Sequence, residues 1–183
     1  MTRSNARELA VHLIFEQGFS QQSADELLER ALKRPVFESL GEEEPLYAQF
    51  PNQAQRAYIE QLVRGVEAHR DELDGYIGQY AIGWNFKRLP RTVVAILRTC
   101  MYEILYMQDV PNAAAINDAV ELTKHYEEPE LSAFVNGILG SFVRAQPLPQ
   151  AEAGPLSDDL FDPEPAPEAE TPASEGTEPP EEA

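Results

Sequence analysis

The chain has a single cysteine, no long apolar run and, over its last 37 residues, neither lysine nor arginine. The lone Cys100 excludes an intramolecular disulfide and any cysteine-based metal site, and it suits a reducing compartment. No apolar stretch approaches the roughly 20 residues that span a bilayer. The N-terminal MTRSNARELAVHLIFEQ is interrupted by Glu8, His12 and Glu16, so it does not read as a signal peptide. A soluble, cytoplasmic protein with no membrane partner is expected. HExxH, Gly-rich phosphate-loop and G-x-S-x-G patterns are also missing. The chain is therefore read as a non-enzyme with no catalytic residue, no metal and no cofactor.

What is abundant is negative charge: 32 acidic against 14 basic residues, net −18. Eleven of the acids lie between Pro147 and Ala183, so the body carries 21 acids against all 14 bases. The extreme acidity belongs mainly to the end of the chain, and a nucleic-acid partner answers to the local field rather than the total. Residues 147–183 are rich in Pro, Glu and Ala. They carry too little apolar surface to offset an ordering cost of about 1–2 kcal/mol per residue. A disordered acidic tail is expected there, following a helical domain over residues 1–146. One apolar island, Leu156 with Leu160 and Phe161, is either solvated linker or a short self-masking or partner-binding motif.

Within the body six helical segments are expected, and no period-2 strand is visible. The first runs from about Ser4 to Gln17 and stops at Gly18. The second starts at a capping box, Ser23 with Glu26, and ends before Pro35. Three prolines, Gly41 and Glu42-Glu43-Glu44 mark residues 34–52 as a surface connection with room for a short turn of helix. A long third helix opens at Asn52, with Gln55 as its capping partner, and follows Tyr58, Leu62, Val66, Leu73 and Ile77. The fourth has Pro90 in its first turn and is apolar around most of its circumference from Val93 to Leu105, as befits the buried centre of a bundle. The fifth covers about Ala113 to His125, and the sixth opens near Pro129. The class is all-α, a compact bundle of about six to seven helices.

Few residues point to chemistry. His12 with Glu16, and Glu121 with His125, are each a helical turn apart, but zinc ordinarily takes at least three protein ligands. They read as solvated helix faces. Cys100 sits mid-helix among apolar neighbours and reads as an inert buried thiol. Gly137 and Gly140 in FVNGILGSF read as sites of close helix packing. Two clusters suit nucleic acid. Arg3 and Arg7 lie a turn apart at a helix N-terminus. Lys87, Arg88 and Arg91 lie close to Trp84 and Phe86, where charge and stacking can act on a single strand, unless those rings simply cap the core.

The stretch from Arg88 to Phe142 carries an ordered set of motifs: ILR (Ile96 to Arg98), Tyr102 to Leu105, DVP (Asp109 to Pro111), AINDAVELTK (Ala115 to Lys124) and FVNGIL (Phe134 to Leu139). Upstream come NARELAVHLIFE and LVRGV (Leu62 to Val66). Together they closely resemble the NusB family of bacterial transcription antitermination factors, over essentially the whole body. The resemblance implies a six- or seven-helix fold without catalysis. It also implies a complex with the ribosomal small-subunit protein that doubles as NusE, and binding of that pair to boxA RNA in nascent ribosomal RNA transcripts. Delivered to elongating RNA polymerase, the antitermination complex suppresses premature termination.

By the same resemblance, the arginine-rich motif falls on Arg3, Ser4 and Arg7, with two arginines where some members have four or more. Each lost phosphate contact lowers affinity and flattens its salt dependence. The other RNA-side positions map to Tyr80, Glu130 and Phe134. Phe134 is either a ring that stacks on an unpaired base or a packed core phenylalanine. The NusE-facing positions map to Phe15, Tyr80 and Val93, and the aromatics beside Lys87 and Arg88 fall in a segment whose rings pack. Three alternatives stay open. One is a protein-interaction helical module with weak or no RNA binding; the same fold serves as an accessory domain in some RNA cytosine methyltransferases. Another is a homodimer that covers the RNA surface. The third has the acidic tail compete with RNA for Arg3 and Arg7.

Overall fold

The computed structural model describes residues 1–146, and the segment expected to be an unfolded tail, 147–183, lies outside the described residues. Eight α-helices occupy those residues: α1 (Arg3–Gln17), α2 (Ala24–Ala31), α3 (Arg34–Leu40), α4 (Gln53–Ala68), α5 (Arg70–Tyr80), α6 (Arg91–Tyr106), α7 (Asn112–Tyr126) and α8 (Pro129–Ala145). Short 3-10 turns at Pro45–Tyr47 and Phe86–Arg88 complete the set, and no strand occurs among the described residues. The all-α class is as expected; the helix count is higher.

Local sequence accounts for most boundaries. The Thr2 hydroxyl accepts the Asn5 N–H at 3.1 Å to start α1, and Gly18 ends it. The two capping boxes form as spaced: Ser23 with Glu26 opens α2, and Asn52 with Gln55 opens α4. Each satisfies N–H groups that a helix start leaves without partners. Pro90 takes the position just before α6 rather than its first turn.

Eleven of the 16 residues of α6 are buried. It touches α1, α4, α5, α7 and α8, so its apolar circumference is covered on every side by a neighbour. Val93, Ile96, Leu97, Cys100 and Met101 are its inmost side chains.

Two expectations are corrected. The long third helix is two, because the chain breaks at His69 (φ −107°, ψ 16°), which closes α4 and opens α5. Leu62, Val66, Leu73 and Ile77 all remain buried across the break, so apolar periodicity alone does not reveal it. The His69 ring packs 4.2 Å from that of Tyr106, and Glu72 accepts hydrogen bonds from Tyr106 (2.7 Å) and His69 Nδ1 (2.9 Å). The supposed connection 34–52 contains α3 and the turn at Pro45–Tyr47. Its fully buried anchor, Phe37, meets the rings of Tyr47 at 5.0 Å and Phe50 at 5.2 Å. Burying such a ring contributes about 1.5–3 kcal/mol, which holds a segment that its Pro and Glu content marks as loop.

Packing leaves no room for a side chain at Gly41, where a Cβ would lie 2.6 Å from the Tyr47 carbonyl oxygen, or at Gly65. A Cβ at Gly65 would lie 2.0 Å from Tyr102 Cζ, where α4 crosses α6. Gly137 and Gly140 do not mark close helix packing: a Cβ at Gly137 meets open space, and one at Gly140 meets only the end of Arg144. Gly65→Ala is therefore expected to lower stability by about 1–3 kcal/mol through overpacking. Gly137→Ala should raise it by about 0.5–1 kcal/mol through helix propensity. Urea unfolding midpoints of the two variants check both signs.

Candidate binding surfaces

Arg3, Ser4 and Arg7 share one face of α1, and that face turns toward α6 and α7. The Arg7 guanidinium meets Glu103 of α6 through Nε (2.8 Å) and Nη2 (3.0 Å), and Asp118 of α7 through Nη1. Tyr58 of α4 donates its hydroxyl to the same Glu103 carboxylate. Arg7 is 2% exposed and Glu103 0%. Burial pulls against the Arg7 charge, but Glu103, Tyr58 and Asp118 outweigh it and hold the group charged, above its ordinary range. Burial and then Glu103 push the Tyr58 hydroxyl upward, so it stays a donor. Ser4 donates to Asp118 at 2.8 Å. Arg3 lies 4.0 Å from Asp109 and 5.9 Å from the Tyr58 ring centroid. The three carboxylates that face this motif come from distant parts of the chain, and no local spacing announces them. In the free chain Arg7 offers no open edge to a phosphate.

A second group gathers around α5 and α8. Tyr80 ends α5 and meets Phe142 edge-on, 5.8 Å between ring centroids. Gly83 turns the chain with φ 82°, a left-handed value that favours glycine. That turn brings Trp84 4.7 Å from Phe134 at 42°. Trp84 is 50% exposed. Phe134 is half-buried, with core on one side and Trp84 on another. Glu130 stands exposed in the first turn of α8. Of the two rings beside the basic cluster, Phe86 packs on the core and Trp84 does not. Tyr80, Glu130 and Phe134 thus lie on helices other than the one bearing Arg3, Ser4 and Arg7.

The third surface is the C-terminal end of α1. Phe15, 36% exposed, meets the more exposed Phe19 at 5.0 Å, and the Arg91 guanidinium lies 4.3 Å from the Phe19 ring centroid. On one side of Phe15 is a hollow lined by Val11, His12, Thr92 and Tyr126. On the other is a groove that reaches Val94 and Ala95. Val93 itself is 0% exposed. Its side chain belongs to the core of α6; of its neighbours Thr92 is half-buried, and Val94 is buried but lines the floor of the groove. Tyr80 is on α5, outside both recesses.

Other polar groups find ordinary partners. Glu121 pairs with Lys124 and Glu16 with Arg30. No cluster of three or more His, Cys, Asp or Glu suited to a metal is found among the described residues. Burial pushes the Cys100 thiol well above its ordinary value, so it stays protonated and unreactive. No described helix is long and apolar enough to cross a membrane.

Eight helices centred on α6, with exposed aromatic edges at α1 and α8, define an all-helical scaffold of the kind seen in solved antitermination factors. The T. maritima NusB structure superposes with a TM-score of 0.66 at 22% identity, covering 80% of this chain and 93% of that one. A chain of the crystal structure of antitermination factors NusB and NusE in complex with dsRNA superposes at 0.62 and 23%, covering 79% and 97%. The NusB family model matches residues 4–144. The transcription antitermination protein NusB of Symbiobacterium thermophilum is 40% identical over 145 residues, 79% of this chain and 90% of its own. Its counterpart in Acetivibrio thermocellus is 35% identical over 146 residues, 80% and 91%. The chain belongs to the NusB family.

Removing one member of a buried ion pair leaves the other uncompensated and costs about 3–5 kcal/mol. Arg7→Met is expected to destabilise by that amount, and the double variant Arg7→Met/Glu103→Met to recover most of it, as read by urea unfolding. His12 yields a pH test. Burial lowers its pKa below the ordinary 6.5 against the opposing pull of Glu8 and Glu44. Folding therefore favours the neutral ring, a contribution present above pH 6.5 and lost as pH falls through the folded value. Between about pH 7.5 and pH 5.5, His12→Asn should lose less stability than the parent chain.

Proposed function

We propose that this chain is a transcription antitermination adaptor of the cytoplasm, acting by binding and without a catalytic step. It pairs with the ribosomal protein NusE, binds boxA RNA of nascent ribosomal RNA transcripts, and in complex with RNA polymerase suppresses premature termination. The observation that carries this reading is the family match over residues 4–144. Further support comes from the solved relative described with NusE and dsRNA and from the division of the surface. Phe15 and the hollow beside it supply an apolar anchor for a protein partner, as interface hot spots do. Phe134 with Trp84 supplies an aromatic platform on which an unpaired base can stack. Tyr80 adds a third ring at that edge, and Glu130 an exposed carboxylate that can accept from a base amino group. Arg3 and Ser4 supply polar contacts at the start of α1.

One observation favours a second reading, a protein-interaction module with weak RNA binding: Arg7 is buried between Glu103 and Asp118. Its contribution to RNA binding is then indirect, through the placement of Arg3 and Ser4. A homodimer that covers the aromatic edge would weaken RNA binding further in the free chain.

Titration of boxA RNA and of a scrambled sequence, with and without NusE, separates the readings. The adaptor binds boxA more tightly when NusE is present and prefers it to the scrambled RNA; equal, weak binding in all four titrations fits the module instead. Phe134→Ala should cost about 1–3 kcal/mol of RNA affinity, the value of one stacked base, with NusE association unchanged. Phe15→Ala should weaken NusE association and leave the RNA contacts of the monomer intact.

A further inference from the structure

The groove between the end of α1, the start of α5 and the start of α6 is a basic surface on an acidic chain. Four cations rim it: Arg70, Lys87, Arg91 and Arg98. Arg98 is matched by Asp74 at 2.7 Å. Arg91 spends one N–H on the Gly18 carbonyl at 2.6 Å. Arg70 Nε is buried and has no hydrogen-bond acceptor, and Lys87 makes no ion pair among the described residues. The floor is apolar, with Phe15, Phe86, Leu89 and Val94 among its residues. The cavity measures about 410 Å³, inside the roughly 300–1,000 Å³ range of ligand pockets. An apolar floor under a basic rim calls for an acidic segment with large apolar side chains.

We propose that this groove is the docking site of the chain's own segment 156–162, Leu-Ser-Asp-Asp-Leu-Phe-Asp. Leu160 and Phe161 enter over the apolar floor, and Asp158, Asp159 and Asp162 face the cationic rim. Beyond residue 146 the segment has no basic residue, so every local charge is of the complementary sign. The path is short enough. Phe134 of α8 lies by Trp84, which follows α5, whereas Phe142 lies 5.1 Å from Tyr76 within α5. So α8 runs antiparallel to α5, and its C-terminal end points toward the Arg70 end of that helix. Ten residue steps from Gln146 to Leu156 reach up to about 35 Å, whereas a 146-residue body has a radius of gyration of about 15 Å.

Exposed ion pairs contribute little singly, so the dock is weak per contact and depends on tethering, which supplies an effective concentration in the millimolar range. Its regulatory consequence rests on the partner-facing role of Phe15 in the proposed function: a filled groove covers one side of Phe15, and NusE must displace the segment to bind.

The full-length chain tests this directly. A nitroxide on Ser157→Cys labels position 157 alone, since Cys100 is buried. Paramagnetic broadening should concentrate on the amides of Gly18, Lys87 and Ala95, leave those of Asn112 and Glu130 sharp, and vanish in Leu160→Ser/Phe161→Ser, which alters no residue of the body. Uniform broadening overturns the proposal, as does broadening centred on Arg3 or Phe134, which would place the acidic segment at the RNA-facing surfaces. Isotope-labelled chain mixed with unlabelled spin-labelled chain should show no broadening; broadening there assigns the groove to a second copy and overturns docking in cis. For a segment with millimolar intrinsic affinity, the Leu160→Ser/Phe161→Ser variant should bind NusE about two- to tenfold more tightly than the parent. Localised broadening with unchanged NusE affinity overturns the competition while docking stands, and so separates it from the partner reading of Phe15.

Discussion

The buried pair of Arg7 and Glu103 is the constraint around which this molecule is arranged. It ties the first helix to the central one, and Tyr58 brings α4 onto the same carboxylate while Asp118 brings α7 onto the same guanidinium. An apolar contact tolerates sliding; a two-point hydrogen-bonded ion pair does not. Desolvating these groups is costly unless every partner is in place, so four helices must meet in one register. The apolar residues of α6 then fill the space this register defines.

That commitment takes charge away from the surface. One of the only two arginines in the N-terminal motif is taken into the fold, and Ser4 faces the same Asp118. What the N-terminal corner lacks in free positive charge, the aromatic edge of Tyr80, Trp84 and Phe134 offers in stacking surface, which depends less on charge. The net charge of the whole chain is a poor guide to this division. Acidic residues face α1 at its N-terminal end, whereas four cations surround the groove at its C-terminal end. The two ends of one helix thus present opposite electrostatic environments, and Phe15 lies where the second begins.

Much of this was legible from residue order. Helix starts at Ser23 and Asn52 follow from side chains that cap their own backbone, and the central place of α6 follows from its apolar circumference. The family was legible in the spaced motifs from Ile96 to Leu139. The break at His69 was not, because the apolar period runs through it. Nor was α3, whose stability comes from Phe37 being enclosed by Tyr47 and Phe50 rather than from a pattern of its own. Gly137 and Gly140 looked like packing glycines because apolar residues flank them, yet it is Gly65 and Gly41 that a neighbouring element approaches closely.

The sequence by itself determined the class, the main helix starts, the acidic character of residues 147–183 and the family, since all of these rest on local chemistry or on ordered motifs. Tertiary structure alone decided what each candidate residue does. Arg3 and Arg7 share a face of α1, yet Arg7 alone is fully enclosed, by Glu103 and Asp118 from distant parts of the chain, and Val93 differs from Phe15 in that its side of the helix meets neighbours. Charge and exposure are properties of the assembled surface, and a linear chain does not carry them until α1, α6 and α7 have closed on one another.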